Sequence, residues 1–187
     1  MSNSRNVLTR SMHDVGLAAW FGGSLMGALG LNGAAGDASR PGDAARIAAS
    51  GWARWSPVAA TAIGTHVVGG LGVLQANRRR VFAQQGVTAN TTVKILLTLA
   101  AVGTTAYSGV LGARIAKEGQ VPSESGTVPV ATTPDHVAQA QQQLRVLQWV
   151  TPALTGALIV LGAQQGEQQR ASEILKGTGR RIFQRLR

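Results

Sequence analysis

The sequence predicts an all-α fold: a four-transmembrane-helix bundle with N- and C-termini cytoplasmic, a short outer interfacial helix and a long fourth helix extending outside the membrane. Three observations carry this. Residues 15–36, 55–77, 95–113 and 146–166 contain no Asp, Glu, Lys or Arg, and about 20 residues at about 1.5 Å each cross a hydrocarbon core of about 30 Å. The 18 Lys and Arg residues fall between these runs, whereas a soluble helix of such length carries charge on its outer face every few residues. Their distribution is also lopsided, and that lopsidedness sets the orientation.

The elements follow in order. Asn6 or Thr9 opens the first helix, and the spans lie at about 12–33, 56–78, 92–115 and 145–166 within a single membrane domain, 1–170. Arg5 and Arg10 before an apolar run that ends in small residues also fit a signal peptide, but the run is longer than a usual signal core, which favours a retained span. Residues 44–55 alternate small apolar residues with Arg46 and Arg54 and end in Trp52 and Trp55. They read as an amphipathic helix on the outer interface, with both indoles as anchors and Trp149 as a third. Ser56 as N-cap and Pro57 at the first helical position then start the second span. The third ends near Lys117, and 118–132, rich in Pro, Ser and Gly, is a loop. Thr133 as N-cap and Pro134 start a helix that continues through Gln139, Gln141, Gln142 and Gln143 into the fourth span, past Pro152. A basic cytoplasmic tail occupies 171–187.

Twelve basic residues lie at the two ends and in the second connection, among them Arg78, Arg79 and Arg80; six lie in the other two connections. The positive-inside rule therefore puts both termini in the cytoplasm. Spread over a soluble surface, the net charge of +10 would suggest nucleic acid; sorted by side, it reads as topology plus attraction to anionic headgroups. No cysteine is present, which excludes disulfides, thiolate chemistry and cysteine metal sites. An Arg-heavy, Ala- and Gly-rich composition points to a GC-rich genome and hence to a bacterial inner membrane. The mean hydropathy of +0.08 is low for such a protein because 24 glycines dilute every apolar run.

Those glycines are patterned. Gly16, Ala19, Gly23, Gly27 and Gly30 line one face of the first helix, and Ala62, Thr65, Gly69, Gly72 and Ala76 one face of the second. Lipid offers helices no hydrophobic reason to associate, so close approach over small residues supplies the packing. Thr98, Thr104, Thr105 and Ser108 add hydroxyls on the third helix.

His66 is the ionisable group nearest the middle of a span, and a polar group at that depth is a candidate site. It reads as a neutral histidine bonded within the bundle, as a quinone or lipid-headgroup contact, or as a haem ligand. Haem needs a second ligand at equal depth. His13 lies a turn from Arg10 and His66 about 18 Å from Arg78, so pairing between them is not expected. No nucleotide loop, catalytic triad or paired-carboxylate site occurs, so neither an enzyme nor a bound cofactor is expected.

Three segments carry a resemblance. They are His13-Asp14 with Ala19-Trp20-Phe21-Gly22-Gly23-Ser24-Leu25-Met26-Gly27, then Gly51-Trp52-Ala53-Arg54-Trp55-Ser56-Pro57-Val58, then Leu147-Gln148-Trp149-Val150-Thr151-Pro152-Ala153-Leu154. Together they resemble an uncharacterised family of small four-helix integral membrane proteins of high-GC Gram-positive bacteria. The resemblance implies a fold and a compartment and no activity. The His followed by Trp-x-Gly-Gly is also similar to the opening of copper-resistance membrane proteins, on one helix alone, and no copper site is carried over.

The functional expectation is a non-enzymatic accessory or scaffold subunit of a larger respiratory or cell-envelope complex, its partners the bilayer and other integral membrane subunits rather than nucleic acid. The alternative is a small transporter or ligand-binding protein using His66, the third-helix hydroxyls and Tyr107.

Overall fold

The computed structural model describes residues 2–83 and 85–168. Among them the chain is all-helical apart from its connections, and four of its helices are long and apolar enough to cross a membrane. This is a multi-pass membrane protein. Helix α1, Ser2–Met26, continues through a π-helical turn at Gly27–Leu31, a short α-turn at Asn32–Ala34 and a 3₁₀ turn at Ala35–Asp37. Helices α2 (Pro41–Ala83), α3 (Gln85–Lys117) and α4 (Asp135–Gln168) follow. Each packs antiparallel to the one before. In the ring, α1 lies between α2 and α4, and α3 closes the circuit between the same two. The start of α1 and the end of α4 therefore share one end of the bundle, the terminal end; the opposite end carries the loops.

The outer amphipathic segment differs from expectation. Ser56 and Pro57 do not start a helix: Pro57 sits inside one continuous helix of 43 residues. The missing Pro57 N–H is a local loss, and the Ser56 hydroxyl is taken up by the Trp52 carbonyl at 2.8 Å. What holds the segment is burial. Ala44, Ala45 and Ala48 are buried, and Ala45 joins Leu111, Ile115, Val121, Val137 and Ala140 in a loop-end core. These 12 residues pack as the top of α2 rather than lying on the interface as a separate helix.

The connection after α3 is an ordered cap. Gly119, at φ +72°, takes the left-handed conformation that glycine adopts without penalty, and its N–H reaches the Ala116 carbonyl. Val121, Ser123, Thr127 and Thr133 are buried, and Glu124 N–H bonds to the Val128 carbonyl at 2.9 Å. Thr133 does not cap α4. Its hydroxyl accepts from Val130 N–H and donates to the Pro122 carbonyl, so the loop claims the group that the sequence assigns to the helix. Gln141, fully buried, donates from Nε2 to Ser123 Oγ at 2.8 Å and fastens the cap to α4. A second core, nearer the terminal end, gathers Leu17, Trp20, Ala62, Ala101 and Leu158 from all four helices.

Candidate functional site: a histidine pair at the α1–α2 crossing

Close approach of α1 and α2 follows from two glycines. A Cβ on Gly16 would stand 2.5 Å from the Ala62 carbonyl oxygen and 2.5 Å from His66 N; one on Gly69 would stand 2.3 Å from His13 N and 2.6 Å from the Thr9 carbonyl oxygen. Only hydrogen fits at either place. With the backbones this near, each histidine reaches the other helix. His13 Nδ1 lies 2.9 Å from the His66 carbonyl oxygen, and His66 Nδ1 lies 2.9 Å from the His13 carbonyl oxygen. Carbonyls only accept, so both Nδ1 atoms carry hydrogen and donate. The rings stack with centroids 4.0 Å apart and planes at 20°. Trp20 meets His66 edge-on at 6.2 Å and donates its indole N–H to Thr105 Oγ1 on α3 at 3.1 Å.

This overturns the expectation that the two histidines lie at different depths. Measured along α2, His66 is about 18 Å from Arg78, yet the close crossing of α1 and α2 brings His13 and His66 to one level. Arg10 and Asp14 of α1 lie within electrostatic range of Lys94 on α3, and Asp14 and Lys94 within range of His66. His13 lies between Arg10 and Asp14 on α1, so both histidines stand at the level of these charges. From Lys94 to Arg114 on α3 is about 30 Å along the axis, the thickness of a hydrocarbon core.

The pair has a restricted chemistry. Fixing Nδ1–H on a carbonyl leaves each Nε2 with its lone pair, as in many metal-bound histidines. The two lone pairs, however, lie in nearly parallel planes 4.0 Å apart and do not converge on one ion. Stacked rings also leave no room for a porphyrin between them. Among the described residues no group of three or more His, Cys, Asp and Glu side chains is placed to hold a metal. Inter-helix clasp is the role this geometry performs.

A second polar hub stands at the loop end. Asn32, buried, accepts from Trp52 Nε1 at 2.9 Å and donates from Nδ2 to Gln148 Oε1 at 2.8 Å, joining α1, α2 and α4. The π-helical turn just before it, marked by the Asn32 N–H to Gly27 carbonyl bond, adds a residue to the turn and so rotates Asn32 relative to α1.

The remaining residues singled out in the sequence fall as follows. The Trp55 ring occupies the space beside Gly23 and the Trp52 ring that beside Gly27, so both indoles pack between α1 and α2 in addition to lying near the loop-end surface. Trp149 is 48% exposed. Gly72 faces Thr9, Ala62 is buried, Ala19 borders the second core, and Gly30 meets only Met26 of its own helix. Arg78 is exposed; the side chains of Arg79 and Arg80 and the basic tail 171–187 lie outside the described residues. Sequence reasoning missed His13 as a partner and Asn32 as a hub. The readable signal was a His-x-x-Gly in each of the first two helices, His13 with Gly16 and His66 with Gly69.

No protein-family model, curated protein or solved structure matches the chain.

Proposed function

We propose that this membrane protein is a non-enzymatic accessory or scaffold subunit of a larger complex in a bacterial inner membrane, with both termini in the cytoplasm. The observation that carries the reading is the division of labour between the helices. Helix α1 spends its polar and small residues inside the bundle, whereas only 11% of the most apolar stretch of α3 is buried, against 33% for α1. Leu96, Leu99, Gly103, Ala106, Val110 and Ala113 form one exposed face of α3 at alternating spacings of three and four, and nothing lies within 4 Å of a Cβ on Gly103. Such a face admits a second membrane helix at close range. The ligand-binding alternative draws less support, because His66 is 2% exposed and Trp20 and Thr105 are bonded to each other, while Tyr107 bonds Gln143 nearer the loop end. These groups do not share a cavity.

Extraction in mild detergent at native abundance tests the proposal. Another integral membrane protein should co-purify, and bulky replacement of Gly103 and Ala106 by Trp should release it while the bundle stays folded. A wild-type chain that migrates alone would count decisively against the reading.

A further inference from the structure

We propose that the exposed face of α3 docks a membrane-spanning helix of a different protein, one that ends on the loop side in carboxylates facing Arg114 and Lys117. This builds on the subunit reading by stating the chemistry of the partner. The face is longer than its apolar part. Leu96, Leu99, Gly103, Ala106, Val110 and Ala113 alternate in steps of three and four, and the next step of four reaches Lys117. Every one of these is exposed, and so is Arg114, one position past Ala113. That alternation is the repeat by which two helices pack along a shallow left-handed crossing. A helix seated on the apolar positions therefore runs on to Lys117, about 21 Å beyond Gly103.

The two cations are open to a partner's charge. Among the described residues neither has an ion-pair partner: Glu118, the adjoining carboxylate, lies 3.2 Å from His136 Nε2, and Asp43 holds Arg46. At the other end of the helix Lys94 is half-buried and within electrostatic range of Asp14. The demand for negative charge is thus one-ended. Like charges argue against a second copy of this chain. Two chains of one topology pair about an axis along the membrane normal, and in such an isologous contact a residue near the axis meets its own counterpart. Setting α3 against α3 puts Lys117 beside Lys117 and Arg114 beside Arg114, which repel. Carboxylates on a different chain turn the same positions into charge-assisted pairs, which also fix the register and orientation of the docked helix.

Energy transfer from the tryptophans of the full chain to a dansyl-labelled, tryptophan-free Leu/Ala helix, in phosphatidylcholine vesicles, tests this. The helix is made with a pair of Glu or a pair of Gln at one end and a pair of Lys at the other. The Glu version should bind about fivefold more tightly than the Gln version. Combining Arg114→Gln with Lys117→Gln should erase that preference, whereas Arg54→Gln, an exposed cation on α2, should keep it. Gly103→Leu should weaken both versions. Equal binding of the two versions overturns the proposal, and so does a preference that survives the paired charge variant. Loss of the preference on adding phosphatidylglycerol overturns it too, by giving the cations to lipid phosphate. Disulfide-linked pairs of the chain formed through Ala106→Cys in native membranes would make a second copy the occupant and sink it equally. A chain that migrates alone yet prefers the Glu helix refutes the subunit reading, while a co-purifying partner without that preference refutes only the charge-matched face.

Discussion

Replacing Gly16 by alanine places a methyl carbon 2.5 Å from the Ala62 carbonyl oxygen and from His66 N. Both obstacles are backbone, so no side-chain rotation relieves them. Helix α1 must withdraw by roughly 0.9 Å to reach ordinary contact, and overpacking of this kind costs about 1–3 kcal/mol. The same withdrawal stretches both His Nδ1 to carbonyl bonds, each now 2.9 Å, past about 3.4 Å, where they cease to count. Interhelical bonds in a membrane are worth about 0.6 kcal/mol each. Together Gly16→Ala should destabilise by about 2–4 kcal/mol, and Gly69→Ala, with its obstacles at 2.3 and 2.6 Å, by at least as much. Gly103→Ala is the matched control. Nothing stands within 4 Å of its Cβ, and it should gain up to about 1 kcal/mol from helix propensity. Reversible unfolding in mixed micelles, followed by tryptophan fluorescence, reads all three. If Gly16→Ala proves as stable as Gly103→Ala, the backbone crossing described above is wrong.

Three further outcomes are expected. In a double-mutant cycle, His13→Ala and His66→Ala should each lose a bond worth about 0.6 kcal/mol, with an interaction of about 0.5–1.5 kcal/mol from the stacked rings; strict additivity would argue against stacking. Asn32→Leu leaves Trp52 Nε1 and Gln148 Oε1 unpaired and should lower stability by about 2–4 kcal/mol, seen as a lower unfolding midpoint. Because the chain has no cysteine, single-cysteine labelling reports orientation cleanly. Exposed Ser39→Cys should react with a membrane-impermeant maleimide on intact cells, and exposed Gln75→Cys only after permeabilisation; the reverse pattern would invert the topology.

The spans were legible because charge exclusion is a local property of the chain. Wherever lipid faces a helix, Arg and Glu are absent, and residues 15–36 or 95–113 show it without reference to any partner. Depth was not legible, and His66 shows why. A helix gives distance along its own axis, but its zero is fixed by neighbours: the crossing of α1 with α2 puts His13 beside His66, which neither helix's sequence shows alone. Thr133 and Ser56 fail for a related reason. A hydroxyl before a proline satisfies the local rule for a helix start, and in both cases a competing carbonyl, that of Pro122 or of Trp52, takes the hydroxyl. The fusion of residues 44–55 into α2 was hidden because it rests on Ala45 and Ala48 meeting Val121 and Gly126 in a loop more than 70 positions away in the chain. The loop-end hub was hidden as well, since a π-helical turn leaves no mark in a Gly-Ala-Leu-Gly-Leu segment. By contrast, the small-residue rows could be read directly, and Gly16, Gly23, Gly27, Gly69 and Gly72 all stand where a Cβ would collide with the opposite helix.

The α1–α2 clasp uses every part twice. Thr9, His13 and Gly16 meet Gly69, His66 and Ala62 in reversed order, so the crossing is self-complementary in the manner of an isologous dimer contact, here built within one chain. The symmetry stops at the contacts themselves: Ile63, whose counterpart in α1 is Arg10, packs against the second core, so each half stays tied to its own helix.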